Sequence, residues 1–231
     1  MIEFIGLVPT VLWLMFFNKV DRGQKEPTYE VARVVFLGGI GAGLVVIFNQ
    51  LTQLGQSSML LAVTSEELVK TLAILAGAYA TANFNELNDG FLYAAAAALG
   101  FAGAENILYF LTAPDSTVIR LLLTPIAHVV FTGMMGYALI KYKLHKSGFW
   151  ILPAGFSLSV LFHYLYNVAI SANIVVGVIV WMLELLIYFT LFVTTLRVAR
   201  GGRVISDKEL KDNDPVEIYN EFSDGKSNTN Q

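Results

Sequence analysis

The 231-residue sequence has no cysteine and only three histidines. Without thiols it can form neither disulfides nor thiolate metal centres, and its redox compartment is not readable. Charge is scarce as well. Asp, Glu, Lys and Arg make up 14% of the chain, where soluble domains carry about 25%. Hydrophobic residues make up 55%, a balance that belongs to a membrane protein. The net charge of −3 argues against a nucleic-acid partner. Familiar catalytic signatures are missing too. There is no GxSxG for a serine nucleophile and no HExxH for a zinc protease, and no span interior carries a pair of aspartates. The first residues, MIEFIGLVPTVLWLMFFNK, have Glu3 in place of a basic n-region and no small-residue cleavage site, so they read as a retained span and not a secretory signal.

What is present is a series of long apolar runs. A spanning helix needs about 20 mainly apolar residues. Seven stretches qualify: 2–18, 32–54, 58–80, 90–112, 117–140, 149–171 and 174–196. The fold expected is an all-α membrane bundle of seven helices, with a membrane-embedded domain over 1–200. Polar or turn-forming runs separate the spans: NKVDRGQKEPTYE, TANFNELNDG, TAPDST and KYKLHKSG. The fourth span, YAAAAALGFAGAEN, is rich in Ala and Gly, which allow close backbone approach and predict a central helix. After Gly201 the sequence is polar and aperiodic, and residues 201–231 read as a disordered tail. Thirteen of the 15 basic residues fall in the first loop, the fifth loop and the tail. With seven spans these share one side, so the rule of basic cytoplasmic loops predicts a multi-pass cell-membrane protein, N-terminus outside and tail inside.

Ionisable residues at membrane depth are costly and are functional-site hypotheses by default. Glu3, Asn49, Gln50 and Arg120 sit near span ends, where a solvated or snorkelling side chain suffices. Glu184 lies deep in the seventh span and is expected to pair structurally with a neighbouring helix. The informative set is Glu66, Glu67, Lys70, Glu105, Asn106, His128, His163 and Asn167, from four different spans. At about 1.5 Å per residue, Glu66, Glu105, His128 and His163 fall roughly 10–16 Å from the outer ends of their helices. Four helices thus put acids and imidazoles in one layer. Glu66 and Lys70 are spaced i,i+4, the better orientation for an ion pair, and Glu67 and Lys70 i,i+3. One glutamate can be neutralised by Lys70 while the other stays free. His163 shares a helix face with Asn167, and Phe101 with Glu105.

Water attack on an amide needs a base and donors for the oxyanion, and this set supplies a glutamate with His and Asn. Alternatively, two histidines and a glutamate (Glu105, His128, His163) hold a divalent metal such as zinc, with a second glutamate as base.

Four motifs on these residues resemble the PrsW family of intramembrane endopeptidases. They are EELVK (Glu66–Lys70), GFAGAENILY with Phe101, Glu105 and Asn106, HVVFTGMMGY with His128, and FHYLYN with His163 and Asn167. The chain is similar, more distantly, to the superfamily of CAAX prenyl endopeptidases and bacteriocin-processing or immunity proteins. The resemblance implies a membrane protease, classed as glutamic-type or metallopeptidase, that makes a first regulatory cut in a membrane-protein substrate near the extracytoplasmic face. An anti-sigma factor is the prototype's substrate. By analogy with the prenyl proteases, Glu66 and Glu105 flank the water, and His163 and Asn167 form the oxyanion site. Where those proteins carry histidine in the second motif, this chain has Glu105. Two other functions compete: a proton- or ion-coupled transporter using the carboxylates as a relay, and a non-catalytic immunity or scaffold protein on the same fold.

Overall fold

A computed structural model describes residues 7–20, 25–52, 57–112, 118–145 and 148–201. Within them the chain is helical and contains no strand. Seven α-helices follow one another: α1 Val8–Val20, α2 Thr28–Thr52, α3 Met59–Ile74, α4 Leu87–Thr112, α5 Val118–His145, α6 Ile151–Ala172 and α7 Ile174–Gly201. Five of these, α2 and α4 to α7, are long and apolar enough to cross a membrane. The 16 residues of α3 run on into a five-residue π-helix, Leu75–Tyr79, which brings the element to the ~20 residues a span needs. Residues 113–117 of the TAPDST turn and the polar tail beyond Gly201 lie outside the described residues.

Local sequence sets the helix ends. The Ser58 hydroxyl accepts from the Leu61 amide and starts α3. Asp89 reaches back to the amides of Asn85 and Glu86 and starts α4, so NDG is a helix-start motif. Asn173, in extended conformation, is the single residue between α6 and α7. Its amide closes α6 on the Ala169 carbonyl, and its side-chain oxygen accepts from the Val175 and Val176 amides that open α7. The basic run 141–145 was expected to interrupt the fifth span, but it continues α5. Lysine is a good helix former, and Lys143 lies over the rings of Tyr79 and Phe84 while Lys141 lies over Tyr137.

Helix α4 is the centre of the bundle. Residues 93–99 are fully buried. Its glycines allow near-backbone contact with both neighbours. A Cβ at Gly38 of α2 would overlap the Ala97 carbonyl, and one at Gly136 of α5 would overlap the Gly90 carbonyl. Arg33 from α2 donates to the Gly77 carbonyl. Lys143 from α5 donates to the carbonyls of Tyr79 and Thr81. The start of α2, the end of the π-helix and the end of α5 therefore gather at one end of the bundle, together with their basic residues.

Candidate active site

The four polar motifs meet near the other end of the bundle. Glu67 and Lys70 of α3 are fully buried and joined at 2.5 Å. The same carboxylate accepts from the Thr132 hydroxyl of α5 at 3.0 Å and meets His163 Nδ1 of α6 at 2.8 Å. Lys70 Nζ also lies 2.9 Å from His128 Nδ1 and 4.8 Å from the centre of the Phe101 ring. On its far side, His128 Nε2 meets Glu105 of α4 at 2.9 Å. Acid, base and cation thus form one continuous network across four helices.

The i,i+4 spacing favours Lys70 pairing with Glu66, leaving Glu67 free, and the structure reverses this. Glu67 takes the lysine because it points to the bundle interior, where Thr132 and His163 also converge on it. Glu66 turns instead toward a cavity of about 450 Å³. Its nearest ionic partner is His163 Nε2 at 3.6 Å.

The partners assign the imidazole protons. His163 has the Glu67 carboxylate at Nδ1, so that nitrogen carries the hydrogen and Nε2 presents a lone pair toward Glu66. His128 has the lysine ammonium at Nδ1, so its hydrogen sits on Nε2 and is donated to Glu105. The rings are 5.0 Å apart, edge to face, with opposite tautomers. Phe131 stacks on His163 at 4.8 Å and fixes its plane.

Glu66, Glu105, His128, His163 and Asn167 all line the cavity. Phe101 lies against His128 from behind, ring centres 5.4 Å apart. Asn106 is fully buried and is not part of the cavity wall. Among the described residues Glu184 meets no structural partner: it is buried, and neither carboxylate oxygen has a hydrogen bond. Sequence reading missed Thr132, Phe131 and Trp181. Thr132 stands i,i+4 to His128 in HVVFT, a spacing that would have placed it on the same face.

Glu66, His128 and His163 each offer one ligand atom, all within 4.8 Å of one another. One carboxylate and two imidazoles make a catalytic metal set, and the Glu67–His163 contact is the outer carboxylate such a histidine takes. The residues therefore fit a divalent metal once His128 exchanges its contact with Lys70 or Glu105 for the ion. The grouping brings in Glu66, where the sequence had suggested Glu105; Glu105 approaches His128 from α4.

The sequence profile described as PrsW family intramembrane metalloprotease matches residues 26–195, a stretch that holds every residue of this network. The chain belongs to the PrsW family. Protease PrsW of Geobacillus kaustophilus is 32% identical over 172 residues, covering 70% of this chain and 76% of that protein. Protease PrsW of Bacillus subtilis is 30% identical over 146 residues, 60% of this chain and 67% of that one. Protease PrsW of Clostridioides difficile is 25% identical over 154 residues, 60% and 65% of the two chains. No solved structure matches. As a PrsW-family member the chain is an intramembrane protease, a multi-pass membrane hydrolase acting on a protein substrate.

Proposed function

We propose that the chain cuts a single-span membrane protein, of the anti-sigma-factor kind, at a bond close to the extracytoplasmic face, as a first regulatory cleavage. One observation carries the reading: of two adjacent glutamates, Glu67 is saturated by Lys70, Thr132 and His163, while Glu66 faces a cavity with room for peptide. The cavity lies away from the end where Arg33 and Lys143 gather, and basic residues mark the cytoplasmic side. The N-terminus is then outside and the polar tail inside.

In this reading Glu66 takes a proton from water as the oxygen attacks the scissile carbonyl carbon. The Asn167 amide donates to the developing oxyanion. As the C–N bond breaks, Glu66 returns the proton to the leaving amine. While Glu66 holds that proton, His163 Nε2 accepts a hydrogen bond from it, and Glu67 holds the His163 tautomer. In the alternative metal route Glu66 would be a ligand and not the base, and a divalent metal held by Glu66, His128 and His163 would supply water activation and carbonyl polarisation. The test is cleavage of a tagged single-span substrate in proteoliposomes, with and without chelator. Glu66→Gln abolishing cleavage supports the reading, and full activity in that variant overturns it. Inactivation by chelator with recovery on added zinc assigns the metal route, and indifference to chelator assigns direct glutamate catalysis.

A further inference from the structure

Glu184 has no part in the network above, yet it is 4% exposed and both carboxylate oxygens are unpartnered. It is not alone. Trp181, one turn nearer the start of α7, has its indole Nε1 buried without an acceptor. Tyr188, one turn further along, is 3% exposed with its hydroxyl unpartnered. Spacings of three and four residues put all three on one face of α7.

Their surroundings are apolar. Tyr188 stands edge-on to Phe91 and stacks on Phe192, and it rests against Gly133, where a Cβ would overlap its ring. Among the described residues nothing on the facing helices donates to or accepts from the three groups. Buried polar groups in native proteins are nearly always satisfied, by protein or by ordered water, and leaving three unpaired in hydrocarbon is costly. The chemistry alternates in a way that suits water. Indole N–H only donates, a carboxyl group accepts, and phenol does both. One water would accept from Trp181 and donate to Glu184, and another would bridge Glu184 and Tyr188. Trp181 also lines the catalytic cavity, as His163 does, so the stripe begins at the wall of the space where water is consumed.

We propose that Trp181, Glu184 and Tyr188 hold a short file of ordered waters continuous with the catalytic cavity, a reserve of hydrolytic water inside the hydrocarbon layer. Its purpose rests on the proteolytic reading. The waters themselves do not, and the test is read without substrate.

The experiment is radiolytic hydroxyl-radical footprinting of the full chain in lipid nanodiscs, which marks side chains beside bound water. Tyr93 is the internal reference, fully buried with its hydroxyl held by Glu26 and Glu30. Trp181 and Tyr188 should be modified several-fold faster than Tyr93 in the unaltered protein. Glu184→Leu should reduce Tyr188 modification several-fold without raising the melting temperature, while Glu184→Gln, whose amide also bonds water, should retain it. With a cleavable substrate, Glu184→Leu should lower kcat and leave KM unchanged. If Trp181 and Tyr188 in the unaltered protein are as inert as Tyr93, the proposal fails, whatever the variants do. A Glu184→Leu protein that melts higher with an unchanged footprint would equally mark the stripe as dry.

Discussion

The bundle buries two ionisable clusters, one near each end, and they are built on opposite terms. At the basic end, Glu30 accepts from Tyr29, Thr81 and Asn83, faces the Tyr93 hydroxyl at 3.0 Å and lies 4.0 Å from Arg33. Glu26 shares that hydroxyl. Every oxygen of Glu30 is occupied, and the cluster ties α2 and α4 to the segment after the π-helix. At the other end, Glu67 is just as saturated, but among the described residues Glu66 beside it has only an imidazole at 3.6 Å and a cavity in front. Burial of charge within membrane helices therefore does not by itself mark catalysis. What marks it is an acid left short of partners, facing space, and backed by groups that are fully engaged.

The comparison is broken most directly at Glu66. Glu66→Gln should lower cleavage by about 10²–10⁴, the usual loss on removing a general base, with melting temperature near that of the unaltered protein. His163→Ala should do the same. Equal cleavage by these variants and the unaltered protein would erase the distinction between the two ends. Lys70→Ala comes next. It strands Glu67 in the interior, at a cost of about 3–5 kcal/mol, so membrane yield and thermal stability should fall together with activity. Asn167→Ala should reduce kcat by about 10²–10³ and leave yield intact, as loss of one oxyanion donor does. The mildest change is at the basic end. Tyr93→Phe removes one shared hydrogen bond, worth about 1 kcal/mol. It should lower the melting temperature by a few degrees and leave cleavage per folded molecule unchanged; a specific loss of kcat there would show that the latch also serves the chemistry.

Much of this was readable in the sequence, for physical reasons. Hydrocarbon thickness sets helix length, so the apolar runs located the helices to within a few residues. The cost of ionisable groups in the membrane singled out Glu66, Glu67, Lys70, Glu105, His128 and His163, and the helices bring them into one network. Finer choices were not readable. Helical spacing ranks Lys70–Glu66 above Lys70–Glu67 for an isolated helix, but Thr132 and His163 arrive from two other helices and decide for Glu67. The bare carboxylate of Glu184 shows the same limit. A sequence reveals that an acid is buried, and the neighbours that answer it, or fail to, come from elsewhere in the fold.

The acid–imidazole layer has a consequence in its electroneutrality. Glu66 and Glu67 contribute two adjacent carboxylates, and Lys70 is the ammonium joined to Glu67. Once Lys70 has answered Glu67, the charge of Glu66 is left facing the cavity in a medium where isolated charge is poorly tolerated. A proton on Glu66 relieves it, and so does a bound cation. Acidification and metal loading are then competing ways of neutralising the same site, so a proton titration of metal affinity and a metal titration of proton uptake should report a single stoichiometry.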